Sequence, residues 1–174
     1  MNEEKTVTWW SVGLKYGLIT GLVSSVLALV NFISGSFDQI WLMFGIGLAV
    51  YIAAIVFAHR EFKTKNAGFM TYGQGVMIGT VTVFIAGVIG GIFSYVYIEF
   101  VDPSILDQMK DMQIGMMERF GLPDDQMDEA IARIERDTTA GSQLQSGLIN
   151  GIFSGLILSL IVSAFTKNRR PDFE

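Results

Sequence analysis

The chain contains no cysteine. That absence removes disulfides, thiolate metal sites and cysteine nucleophiles together. Histidine is almost missing too, with His59 the single copy. It stands beside Arg60 and Glu61 and reads as a solvated loop residue rather than a catalyst or ligand. Charge is scarce, at 17% of 174 residues, against about 25% in an ordinary soluble domain. The shortfall falls in four long segments, none of which contains Asp, Glu or His. Proton-coupled carriers use such groups at depth, so their absence argues against one. The single Ser-Lys pair at helical spacing, Ser11 and Lys15, sits at a segment end where water is not excluded, which is poor ground for a nucleophile. The chain is therefore read as no enzyme, with no cofactor, no metal and no nucleic-acid partner.

What is present is glycine in a regular beat. Gly147, Gly151, Gly155, Ser159 and Ser163 recur at every fourth position among Leu, Ile, Val and Phe. On a helix this makes one groove of small side chains. In water each such glycine costs about 1 kcal/mol against alanine. In a bilayer it lets a neighbouring backbone come close, which is where packing energy is found when lipid is as apolar as leucine. Gly13, Gly17, Gly21 and Ser25 repeat the beat, as do Gly45, Ala49 and Ala53, the pair Gly75 and Gly79, and the pair Gly87 and Gly91.

The expected fold is all-α: an integral membrane protein with four transmembrane helices at about residues 12–33, 40–58, 71–98 and 144–166. Each is long enough to cross about 30 Å of hydrocarbon at 1.5 Å per residue. The third, uncharged for 28 residues, must tilt, kink or project. Trp9 and Trp10 precede the first span as interfacial anchors do, Trp41 sits at the start of the second, Tyr72, Tyr95 and Tyr97 fit aromatic belts, and Lys15 lies close enough to an end to snorkel. The acidic start and the long first apolar run do not have the form of a signal peptide, so the first helix is expected to remain in the mature protein. Residues 59–68 read as a short basic loop.

Residues 102–143 are different material, with ten acids and four bases. Asp102 and Pro103 form a helix start. Ile105, Met109, Met112, Met116 and Phe120 mark one helical face, and Gly121 is a stop. A second short helix is expected from Pro123 to about Asp137, with Met127, Ile131 and Ile134 on one side, then a turn over 138–142. With both termini inside, eight bases (Lys5, Lys15, Arg60, Lys63, Lys65, Lys167, Arg169 and Arg170) lie on the inner side and four in the acidic loop outside, as the positive-inside rule requires. The insertion is then an extracytoplasmic helical hairpin between helices three and four. The two halves are weakly alike, each ending in Phe and a basic stretch (Phe57-Ala-His-Arg60 and Phe165-Thr-Lys-Asn-Arg169). This fits a duplicated pair, or only the likeness of glycine-rich helices.

The Gly-spaced first span, the His59-Arg-Glu-Phe-Lys segment leading through Gly68-Phe69 into Tyr72-Gly-Gln-Gly75, and the acidic insertion before the last span together resemble a bacterial family of small four-helix membrane proteins, domain of unknown function 4199. The resemblance covers nearly the whole chain. It implies a bacterial cytoplasmic membrane and brings no activity, catalytic residue or ligand.

Three sets of residues are candidates for function. The ladders Gly13, Gly17, Gly21, Gly75, Gly79, Gly87, Gly91, Gly147, Gly151, Gly155 and Ser159 either hold the bundle together or leave a spare face for a homodimer. Asn31 and Asn150 are the most polar residues inside spans one and four. They either hydrogen-bond the two helices or, with Ser154, Ser159 and Thr80, line a solute path. Met109, Met112, Met116 and Phe120 form a face that packs on the insertion itself or docks a protein partner, and Met109, Met112, Met116 and Met117 offer thioethers to monovalent copper as the third reading. The expected role is non-enzymatic packing and docking in the lipid bilayer, with a passive transporter or channel as the alternative.

Overall fold

The computed structural model describes residues 7–35, 39–121 and 123–170. The described residues form six helices: α1 (Trp9–Ser34), α2 (Ile40–Lys65), α3 (Tyr72–Phe100), α4 (Ser104–Arg119), α5 (Asp124–Asp137) and α6 (Ala140–Thr166). Among them α1, α2, α3 and α6 are long and apolar enough to cross a membrane. Lys5, counted above among the inner bases, lies outside the described residues, as do residues 36–38 and residues 171–174 of the tail.

The helix ends follow local chemistry. The Thr8 hydroxyl accepts from Ser11 N at 3.2 Å, and Gly35 closes α1 in the left-handed region at φ 61°. Thr71 with Gln74, and Thr139 with Ser142, form reciprocal capping boxes at the starts of α3 and α6. The second of these corrects the turn expected over 138–142: Ala140 to Ser142 are already helical, because the box satisfies the free N–H groups of that end. Asp102 accepts from Ser104 N and Oγ and starts α4; Gly121 ends it at φ 68°.

α3 is the centre. It runs parallel to α1, whose glycines receive its bulky side chains in step: Gly13 faces Val81, Gly17 faces Ile85 and Gly21 faces Ile89. A methyl group on Gly17 would lie 2.6 Å from the Ile85 Cβ and 3.0 Å from the Thr82 carbonyl oxygen. On its other side α3 runs antiparallel to α6, and there the glycines meet backbone. A Cβ on Gly87 would lie 2.6 Å from the Gly147 carbonyl oxygen, and one on Gly147 would lie 2.9 Å from that of Gly87. Gly75 and Gly79 receive Ser163 and Ser159, Gly91 meets Leu144, and Gly155 takes Val83.

α2 is attached differently. Ala54, Ile55, Ala58, His59 and Phe62 are buried, all toward its C-terminal end. Its other half is bare, with Trp41 at 75% and Phe44 at 63% exposure. Nothing lies within 4 Å of where a side chain on Gly45 or Gly47 would begin, so the α2 ladder is not used by the bundle. α2 also extends to Lys65, which corrects the basic loop expected over 59–68. Arg60, Glu61, Lys63 and Lys65 are good helix formers, and Lys65 pairs with Glu61 one turn back at 2.7 Å. The stop is Asn66 with Ala67 at φ 52° and Gly68 at φ 85°, where Gly68 N returns to the Lys63 carbonyl at 2.8 Å.

The insertion is folded down onto the far end of the bundle. Ile105 joins Phe32, Ile98 and Ala140 in one buried cluster, with Leu106 and Met109 against it. α5 lies on α4, its Ile134 buried.

Substituting Gly17 with Leu is expected to destabilise the protein by about 1–3 kcal/mol through overpacking against Ile85. Gly45→Leu is expected to leave stability unchanged. Thermal unfolding of the two variants in detergent checks both.

Candidate functional site

Two polar constellations occur on the four long helices. The first ties the end where α2 finishes, α3 begins and α6 finishes. His59 is fully buried, its Nε2 2.9 Å from the Gly75 carbonyl oxygen and its Nδ1 2.8 Å from the Thr166 hydroxyl. A carbonyl only accepts, so Nε2 carries the hydrogen and donates to Gly75. In the neutral ring Nδ1 then accepts from Thr166, whose hydroxyl also lies 2.9 Å from the Val162 carbonyl. Lys63 donates to the Thr166 carbonyl at 3.0 Å. One imidazole therefore joins three helices, which corrects the solvated-loop reading of His59. The physical reason is the longer α2: positions 55, 58, 59 and 62 form one buried stripe at helical spacing. That stripe was visible in the sequence but was cut by ending the helix at residue 58.

The same end is tied twice more. Lys15 donates to Glu61 at 2.6 Å, joining α1 to α2 rather than only reaching outward. Met70 and Asn168 exchange backbone hydrogen bonds of 2.7 and 2.9 Å, Asn168 Nδ2 donates to the Gly68 carbonyl at 2.9 Å, and the Arg170 guanidinium lies 5.1 Å over the Phe69 ring. No spacing rule links residues so far apart. Ser11 donates to the Thr8 carbonyl, so neither member of the Ser11 and Lys15 pair faces the other's chemistry.

The second constellation is a groove of about 320 Å³ at the opposite, splayed end of α2. Tyr51 of α2, Ser94 of α3, and Gln143, Ser146, Asn150 and Ser154 of α6 line it, over a floor that includes Gly87, Gly90, Gly91, Gly147 and Gly151. Ser154 gives its hydroxyl to the Asn150 carbonyl, as Ser25, Thr82 and Ser159 do to carbonyls four residues back. The side chains of Tyr51, Ser94, Gln143, Ser146 and Asn150 have no hydrogen-bond partner among the described residues. Asn150 and Ser146 are exposed. Through Gln143 and Ser146 the groove meets a pocket of about 300 Å³ under the insertion, lined also by Gln113, Arg133 and Thr138.

The other expected positions fall as follows. Asn31 does not bond Asn150, because α3 stands between α1 and α6. Its Oδ1 is buried without a partner in a separate 200 Å³ pocket between α1 and α2 that also reaches Tyr51. Ser159 is sealed in the seam of α3 and α6 at Gly79, and Thr80 Oγ1 is buried and unpartnered. Neither lines the groove. Of the methionine face, Met109 packs on the core, Met117 lines the crevice between α4 and α5, Met112 and Met116 are half-buried, and Phe120 is 73% exposed. Among the described residues no group of His, Asp and Glu could hold a metal ion.

The family described as "Protein of unknown function (DUF4199)" matches residues 15–168. The chain belongs to the DUF4199 family. No curated protein and no solved structure matches it. The DUF4199 segment takes in both constellations whole: His59, Gly75 and Thr166, and the groove from Tyr51 to Ser154.

His59→Leu leaves the Gly75 carbonyl without its donor and is expected to destabilise the protein by about 1–3 kcal/mol. Lys15→Met removes a half-exposed pair and is expected to cost about 0–1 kcal/mol. Unfolding midpoints of both variants test this order.

Proposed function

We propose that this is a non-enzymatic protein of the bacterial cytoplasmic membrane that receives another membrane-embedded protein surface in the groove between α2, α3 and α6. In this reading both termini are cytoplasmic and the α4–α5 hairpin is extracytoplasmic, the orientation favoured by Lys15, Arg60, Lys63, Lys65, Lys167, Arg169 and Arg170 at the other end of the bundle. The observation that carries it is the set of five unpartnered polar side chains on one glycine-floored wall. Leaving an amide or hydroxyl without a partner in hydrocarbon costs several kcal/mol. Lipid tails cannot repay it, whereas a close-packed protein surface with donors and acceptors can. The methionine face is the lesser docking surface, since Met109 is already spent on the core, leaving Met112, Met116 and Phe120.

Passive transport is the second reading, favoured by the continuity of the groove with the pocket beneath the hairpin. Against it, the polar lining stops at Tyr51 and Ser154. Beyond them Ser159 and Ser163 are closed under Gly79 and Gly75.

A nitroxide at Ser94→Cys, in a chain free of other cysteines, separates these readings in native membranes. Coverage by protein predicts low accessibility to both oxygen and a water-soluble nickel complex. High oxygen accessibility means bare lipid contact and overturns the proposal. High nickel accessibility means a water-filled path and supports transport instead.

A further inference from the structure

Resting on that docking reading, we infer that the surface received in the groove is a second copy of this chain, seated around a two-fold axis that passes beside Asn150. The seam is continuous on α6: Ser146, Asn150, Phe153, Ile157, Leu160 and Ala164 are all exposed. Their spacing, 4-3-4-3-4, is that of a helix that supercoils against a parallel neighbour.

Three further points select the chain itself. First, every copy inserted with the same topology places a given residue at the same depth. A two-fold axis along the membrane normal then brings a residue near it against its own counterpart. Second, Asn is its own complement, since its amide both donates and accepts. Two Asn150 side chains, each unpartnered within its chain, satisfy one another. The same holds for the hydroxyls of Ser146 and Ser94 and the amide of Gln143 on the same wall. Third, the groove within the span carries no charge, so a charged headgroup would find no counter-ion in it. Asn150, with only apolar residues after it along the seam, also fixes register, because any slip along the helix leaves both amides in hydrocarbon.

The absence of cysteine makes the natural chain a clean background for cross-linking. Single cysteines at Asn150, Phe153 and Ile157, oxidised in native membranes with copper phenanthroline, are expected to give covalent dimers. Ile152→Cys, exposed but about 200° round the helix from Asn150, is expected to give none. The unsubstituted chain is expected to run as a dimer in native mass spectrometry. Asn150→Leu is expected to dimerise about tenfold more weakly while its helical content by circular dichroism is unchanged. A monomeric unsubstituted chain, or cross-linking as strong from Ile152→Cys as from the seam, overturns the inference. A protein-covered nitroxide at Ser94 without cross-links between copies discards the second copy and leaves the docking reading standing. A lipid-exposed nitroxide discards both.

Discussion

Backbone against backbone, at Gly87 and Gly147, is the contact from which the rest of the arrangement follows. Each glycine stands so close to the other's carbonyl oxygen that no larger residue fits either position without moving a helix. In hydrocarbon there is little hydrophobic gain from bringing helices together, so dispersion and small-residue fit must do it. That forces α6 tightly along one side of α3. α1 takes another side by the opposite device, with glycines on α1 accepting Val81, Ile85 and Ile89. With two sides of α3 occupied, α2 finds room to pack closely only at one end. The groove is the geometric remainder of that arrangement.

The difference between the two ends of α2 is chemical as well as spatial. Where it is held, cross-helix bonds tie His59 to Gly75 and Thr166, Lys63 to the Thr166 carbonyl and Lys15 to Glu61, and only Ser163 Oγ is buried there without a partner among the described residues. Where it splays, the polar side chains of the groove have no such bonds. Ser25, Thr82, Ser154 and Ser159 return their hydroxyls to the carbonyl one turn back, a local bond needing no partner helix. Ser94 and Ser146 do not, and they stand together with Asn150, Gln143 and Tyr51. Unsatisfied groups scattered over a surface carry little meaning, but five on one wall call for a common partner.

Much of this was legible in the sequence, because its signals are periodic or local. Small residues four apart on α1, α3 and α6 marked the seams, and every ladder glycine named on those helices except Gly151, at ordinary contact, stands where a Cβ would crowd a neighbour. Gly121 and Asp102 marked the bounds of α4. The same rule misled at Gly45, since spacing shows that a face is small and not that anything covers it. His59 was hidden by its charged neighbours, which suggested a loop when helix-forming charges were simply carrying α2 past the apolar run. The separation of Asn31 from Asn150 was beyond reach, because which helices touch depends on the order of close approach among all four, and no span records that alone.

The blind end of the groove bears on what the protein can do. A path for solute needs polar lining from one face to the other, and here Ser159 and Ser163 are packed shut in the seam that holds α3 to α6. Opening the groove through them would break the contacts at Gly79 and Gly75, and with the latter the His59 tie. The features that make the bundle tight at one end therefore work against passage through it. A surface that ends half-way, polar at its floor and apolar at Phe153 and Ile157 beyond, suits something that stays: a helix lying alongside, its polar groups met at one depth and its apolar ones at the next.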